Sequence, residues 1–424
     1  MDPSAHRYCV IGAGAAGLAT LAVLLEHGFD VTAYERTDRV GGHWHTDYES
    51  LHLITSRNVS GFEGVPMPDH YPTYPSRDQM RDYLLNFADA KGLAEHIRFG
   101  VKVTSIRPRG DVGLGGWTVE AADGTIEQYD AVIVANGHLW DPNVPEYDGT
   151  FTGKTMHSSS YRNIDDIEGR RVLVVGAGNS GCDLAVDVAN ARLESFISVR
   201  RGQMFQPKAI FGKPRAEVKW LGKLPLRIQE RVSRALVDIV VGPTSAYPGL
   251  PQPATRNLNK QPPVVNNLLL YWIHHGRITV VPGISRFDGH TVHFTDGSQR
   301  DFDTVLWATG FKVTFPFLDR SLFRWRDGVP LRIAGLTVPC GVENLYFAGL
   351  AGPRGGQLPV YSAQAELIAR MLHLTERANI ALSREFAKID KPDARIDIIR
   401  KVWLTQMSRA NAAIDKLERE HAAA

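Results

Sequence analysis

Two stretches of this chain have the residue types and spacing to hold a phosphate group. They are Gly12-Ala13-Gly14-Ala15-Ala16-Gly17 and Gly176-Ala177-Gly178-Asn179-Ser180-Gly181. In a G-x-G-x-x-G turn the first glycine permits a tight reversal and the second lets a pyrophosphate approach the backbone. The third lets the following helix pack closely on its strand. Each turn is preceded by an apolar run, Tyr8 to Ile11 and Val172 to Val175, and followed by a helical pattern. After the first, a second strand ends at Glu35, where a carboxylate can bond a ribose hydroxyl. After the second, the equivalent strand ends at Arg200-Arg201. A carboxylate there would repel a 2′-phosphate, whereas a guanidinium binds it bidentately. The alternative for both arginines is a solvated strand end. The turns therefore predict two dinucleotide sites, FAD at the first and NADPH at the second, with hydride passing from nicotinamide to flavin.

These sites need two doubly wound α/β units. The predicted fold is α/β, with two dinucleotide-binding (Rossmann-like) domains and the NADPH domain inserted into the FAD domain. Residues 1 to about 165 and about 321 to 424 are assigned to the FAD domain, and 166–320 to the NADPH domain. A further strand, Val305 to Trp307, closes on Ala308-Thr309-Gly310, and NLYFAGLAGPRGG gives a late strand and glycine-rich loop before another helix. The NADPH domain carries its own insertion at about 203–263, with a helix expected around Leu226 to Val241 and Pro225 just before it. Such an excursion either shapes a substrate entrance or is a plain surface loop. From Ala381 onward the chain is charged and helical in pattern, and should dock on the body or on a second subunit, as in a homodimer.

Composition excludes several classes. The 424 residues carry a formal net charge of +2, which gives no electrostatic case for nucleic acid or an acidic membrane. No apolar run is long enough for a transmembrane anchor, and the first strand begins too early to leave room for a signal peptide. Cys9, Cys182 and Cys340 stand singly with no CxxC, against a dithiol or metal site and in keeping with a reduced cytoplasmic setting.

The segment between the two units, Phe151-x-Gly153-x-x-x-His157-x-x-x-Tyr161-Arg162, resembles the fingerprint FxGxxxHxxx(Y/F)(K/R) of the class B flavin-containing monooxygenases. The resemblance runs over nearly the whole chain and includes GGHW at Gly41 to Trp44, HYPTYPSRDQMRDYLLNFA, WATGF and NLYFAGL. It implies cofactor contacts from Ala16, Gly42, Trp44, His157, Tyr161, Asn179, Ser180, Thr309, Gly310 and Gln364. His157 has an alternative as a structural histidine bonded to backbone carbonyls. Asn58 stands in a comparable place to a family asparagine that supports the flavin C4a-hydroperoxide, with a turn asparagine as the other reading. Related Baeyer–Villiger enzymes carry Trp where Tyr161 stands. The resemblance thus implies an NADPH- and O2-dependent monooxygenase that oxygenates a small nucleophilic substrate at an amine nitrogen or thioether sulfur. Baeyer–Villiger oxidation and oxidative decarboxylation of a 2-oxo acid are the alternatives within the family. A plain NADPH-linked flavin reductase is the alternative outside it.

Overall fold

The computed structural model describes residues 6–422 apart from 219, 221–223, 258, 259 and 379. Its frame is two five-stranded parallel sheets. The first runs in the order Leu345–Phe347, Ala131–Val134, Arg7–Ile11, Asp30–Tyr34, Ile97–Arg98. The second runs Ile278–Val281, Glu194–Ser198, Arg171–Val175, Thr304–Trp307, Lys154–His157. In both, the strand that feeds the glycine turn is central and buried along most of its length, as a parallel sheet covered on both faces requires.

Each central strand leads into a helix, Ala15–Glu26 in the first unit and Asn179–Asn190 in the second. The first helix packs on Leu358–Arg377, a long helix near the C-terminus. A core of Leu18, Leu21, Leu24, Val360, Leu367 and Met371 fills the space between them. A small antiparallel sheet accompanies each unit: Val103–Pro108, Trp117–Ala121 and Ile126–Tyr129 in the first, Ile284–Asp288, Thr291–Phe294 and Gln299–Asp301 in the second.

Two connections cross between the units, and they pair with each other. Asp141 and Pro142 lie antiparallel to Lys312 and Phe311. The edge strand Lys154–His157 hydrogen-bonds to Thr304–Trp307 in the second sheet. It therefore belongs to that sheet, although it precedes the boundary expected at about 165. The insertion forms a short hairpin, Ala209–Ile210 against Lys213–Pro214, and a helix at Leu226–Val240. It begins and ends with Phe205–Gln206 paired to Val264–Val265. The C-terminal helix Arg400–Ala422 docks on the body: Trp403, Met407, Ala410 and Ile414 are buried in the first core, and Arg370 reaches Asn411 and Asp415.

Candidate functional site

The two glycine turns are built alike. A side chain added at Gly12 or Gly176 would meet the carbonyl of Ala135 or Ala308, at 2.9 and 2.5 Å, and both residues have left-handed φ. At Gly17 and Gly181 the added carbon would strike the carbonyl of Gly12 or Gly176, at 1.9 and 2.0 Å. The middle positions differ in kind. Gly178 has no protein atom within 4 Å of such a carbon, and Gly14 has only the Gly42 Cα, at 3.9 Å. The space that a phosphate needs is thus left open at the second glycine and filled at the other two. The first-turn N–H groups of each helix have no intrahelical acceptor and face that space. Ala16 contributes only backbone there, because its side chain is buried against Gly349. The residues fit a dinucleotide at both turns.

Glu35 is 6% exposed at the end of its strand. Its carboxylate accepts from the Ala13 N–H at 2.8 Å and from the backbone and hydroxyl of Thr37, both at 2.9 Å. This locks the carboxylate beside the first turn. Arg200 and Arg201 are both exposed just past the second-unit strand Glu194–Ser198, and neither makes an ion pair among the described residues. Asn179 uses its side-chain oxygen to accept from the Val265 N–H at 2.8 Å, which pins the returning end of the insertion to the second turn.

One loop touches both turns. Gly41 donates to the Ala13 carbonyl at 2.9 Å, and a side chain at Gly42 would come within 3.2 Å of the Gly14 Cα. Trp44 follows, half-buried beside His43. At the far end of the loop, the Tyr48 hydroxyl donates to Asp183 at 3.0 Å, with Ser180 beside it. The Glu49 N–H then donates to the Arg162 carbonyl at 2.8 Å. Asp183 also accepts from Asn266 at 2.7 Å. Burial raises its pKa to about 6. Sequence reasoning missed Tyr48, Asp183 and Asn266. Nothing in their spacing links them, since Asp183 and Asn266 meet only through the fold of the second unit and Tyr48 reaches them from the loop of the first.

The fingerprint residues work as structure. Phe151 packs among Phe287 and His290. At Gly153 the chain passes so close to the Asp303 carbonyl that an added carbon would lie 2.4 Å from it. His157 Nε2 donates to the Gly310 carbonyl at 3.0 Å, and its Nδ1 accepts from the Ser159 N–H at 3.2 Å. These partners fix the neutral Nε2–H tautomer, and burial lowers the pKa. Both ring nitrogens have protein partners, the arrangement of a histidine bonded to the backbone. Tyr161 is 0% exposed, and its hydroxyl donates to Asp187 at 2.7 Å on the second-unit helix. Thr309 and Gly310 belong to the crossing itself, the threonine hydroxyl bonding to the Asn143 carbonyl and the Gly310 carbonyl accepting from Asn143 and His157.

Asn58 is exposed on a short turn, and its amide donates to Glu217 of the insertion at 3.0 Å. Gln364 is fully buried; its side-chain oxygen accepts from Gly349 at 3.1 Å and its amide nitrogen has no partner among the described residues. Cys9, Cys182 and Cys340 are all buried and unpaired, and no group of metal-binding side chains occurs among the described residues. No helix among them is long and apolar enough to cross a membrane.

With this geometry in place, a family model described as flavin-binding monooxygenase-like matches residues 5–391. The chain belongs to that family. It is an NADPH-dependent flavin-containing monooxygenase whose cofactors are FAD and NADPH. The monooxygenase is 32% identical over 320 residues to the rice (Oryza sativa subsp. japonica) indole-3-pyruvate monooxygenase YUCCA1, covering 72% of this chain and 77% of that one. It is 31% identical over 392 residues to rabbit (Oryctolagus cuniculus) flavin-containing monooxygenase 5, covering 85% and 72%. Its fold matches the open crystal structure of cyclohexanone monooxygenase with a TM-score of 0.71, at 19% identity over 98% of both chains.

Proposed function

We propose that the first turn holds FAD and the second NADPH, and that the monooxygenase places one atom of O2 on a soft nucleophile, an amine nitrogen or a thioether sulfur. The balance is substrate, O2, NADPH and a proton giving oxygenated substrate, water and NADP+. The flavin supplies the redox chemistry when bound. The chain supplies binding, orientation and exclusion of water. Glu35 and the open face of Gly14 would seat FAD; the open face of Gly178, with Arg200 or Arg201, would seat NADPH.

The observation that carries this reading is the loop from Gly41 to Glu49, which packs on the first turn at one end and holds the second-unit helix at the other. It links the elements around the two glycine turns. With every described cysteine buried, no dithiol stands ready to receive electrons, which weighs against a disulfide-reducing role. A second reading, oxidative decarboxylation of a 2-oxo acid, draws support from the similarity to the rice indole-3-pyruvate enzyme.

The test is NADPH and O2 consumption against amines, thioethers, ketones and 2-oxo acids, with product masses. The expected result is a product heavier by one oxygen from an amine or thioether. In stopped flow, reduced enzyme mixed with O2 should show a transient flavin absorbance distinct from the oxidised and reduced forms. Peroxide equal to the NADPH consumed, with every compound, would leave a flavin reductase. Loss of CO2 from a 2-oxo acid with no product from amines or thioethers would favour the second reading.

A further inference from the structure

The insertion brings two cations together at the base of its hairpin. Lys208 precedes Ala209–Ile210, Arg215 follows Lys213–Pro214, and the Arg215 N–H donates to the Lys208 carbonyl at 3.0 Å. They are cross-strand neighbours. Like charges opposed across a strand pair destabilise it, so the arrangement needs a reason. Both residues are partly buried, and neither side chain makes a hydrogen bond or ion pair among the described residues. Both converge on Tyr74: the Lys208 Nζ lies 5.5 Å from its ring centroid, the Tyr74 hydroxyl donates to the Lys208 carbonyl at 2.9 Å, and the Arg215 charge acts on the same phenol.

The acids nearby accept hydrogen bonds from neutral donors and form no ion pair with either cation among the described residues. Asp183, whose charge reaches Lys208, accepts from Tyr48 and Asn266. Glu217 accepts from Asn58. A third cation, Arg354, repels Arg215 and is itself paired with Asp397. Burial lowers the pKa of Lys208, and burial with this repulsion brings Arg215 to about 10. The position also matters. The Lys208 carbonyl accepts from Tyr74, and Glu217, just past the hairpin, accepts from Asn58, both partners outside the insertion, while the Val265 N–H at the insertion's return donates to Asn179 of the second turn. The pair thus sits where the hairpin base meets Tyr74, with Asp183 offsetting Lys208 in part and no acid in an ion pair with either cation among the described residues.

We propose that Lys208 and Arg215 form a carboxylate subsite, which holds the anionic end of the organic substrate with its reacting atom toward the flavin. A planar guanidinium grips a carboxylate through two N–H bonds and the ammonium adds a third donor. The subsite rests on the monooxygenase reading and narrows it to substrates that bear a carboxylate, whether thioether acids or 2-oxo acids. A phosphate of the dinucleotide has the same chemistry, and the test separates the two.

The experiment is calorimetric titration of the FAD- and NADP+-loaded enzyme with (phenylthio)acetate and with its methyl ester, beside turnover of both. The wild type should bind the acid more tightly by about tenfold or more, the scale of a charge-assisted contact. Arg215→Gln and Lys208→Met should each shrink that ratio, the pair together should bring it near one, and Arg215→Lys should keep part of it. Flavin content and thermal midpoint check that the variants fold. Equal binding of acid and ester by the wild type, or of neither, overturns the subsite. So does a loss of NADPH affinity in the variants with the acid preference intact, which would give the pair to a dinucleotide phosphate. Failure of the monooxygenase reading looks different: acid preference would survive in the titration while turnover yields only peroxide.

Discussion

At the scale of single residues, the division between open and filled glycines makes the sharpest claim. Gly14→Val places a side chain where only the Gly42 Cα stands at 3.9 Å, in the space left for a pyrophosphate. The protein should fold and purify without yellow colour, as flavin absorbance per chain would show. Gly178→Val should keep the flavin and lose reduction by NADPH, measured anaerobically. A fully loaded Gly14→Val protein would move FAD away from the first turn. Arg200 and Arg201 can be tested together: neutral replacements should narrow the NADPH to NADH ratio of kcat/KM by about 2 kcal/mol, roughly the strength of one charge-assisted bond. An unchanged ratio returns both arginines to a solvated strand end.

At the scale of elements, the contact between the Gly41–Glu49 loop and the second-unit helix carries a pH signature. Asp183 has a folded pKa raised by burial to about 6, above the ordinary carboxylate value of about 3.9. The folded state therefore binds the proton more tightly than the unfolded chain does. The stabilisation is full below the unfolded pKa and is lost as pH rises through about 6. Asp183→Asn has no proton to lose. Relative to the wild type, its stability should rise between pH 4 and pH 7 by on the order of 2 kcal/mol, whatever constant offset its altered bonds to Tyr48 and Asn266 introduce. Thermal midpoints of both proteins, compared at steps across that range, check it. Parallel curves would show that Asp183 is solvated and that the loop does not seal this contact.

For the whole molecule, the C-terminal helix closes the first core. Trp403 is 1% exposed and donates its indole N–H to the Gly335 carbonyl at 3.0 Å. Trp403→Ala removes that volume and leaves the carbonyl unpaired, at a cost of about 3–5 kcal/mol. The first unit contains the helix on which this tail packs, Leu358–Arg377, which in turn packs on the first nucleotide helix. Flavin retention should therefore fall with stability, and thermal release of flavin fluorescence should come at lower temperature than in the wild type. Retention unchanged at a lowered midpoint for the tail alone would show that the tail melts independently of the FAD site.

The sequence by itself determined the two glycine turns, the strands and helices around them, and the acid at one strand end against the arginines at the other. These features are local. A turn whose first and third glycines meet within one G-x-G-x-x-G, and an apolar run of four or five residues, need no distant partner to be recognised. The tertiary structure decided which polar groups remain free. His157 meets Gly310 across 153 residues, Tyr48 meets Asp183 across 135, and Asn58 meets Glu217 across 159. A donor's availability depends on such long-range partners, because a buried polar group left unpaired is costly and the fold pairs it wherever it can. That is why the partners of His157 and Tyr161, legible as a motif, appear only in the fold. It is also why the pairing of Lys208 and Arg215 was not legible in the sequence: only the hairpin sets them side by side.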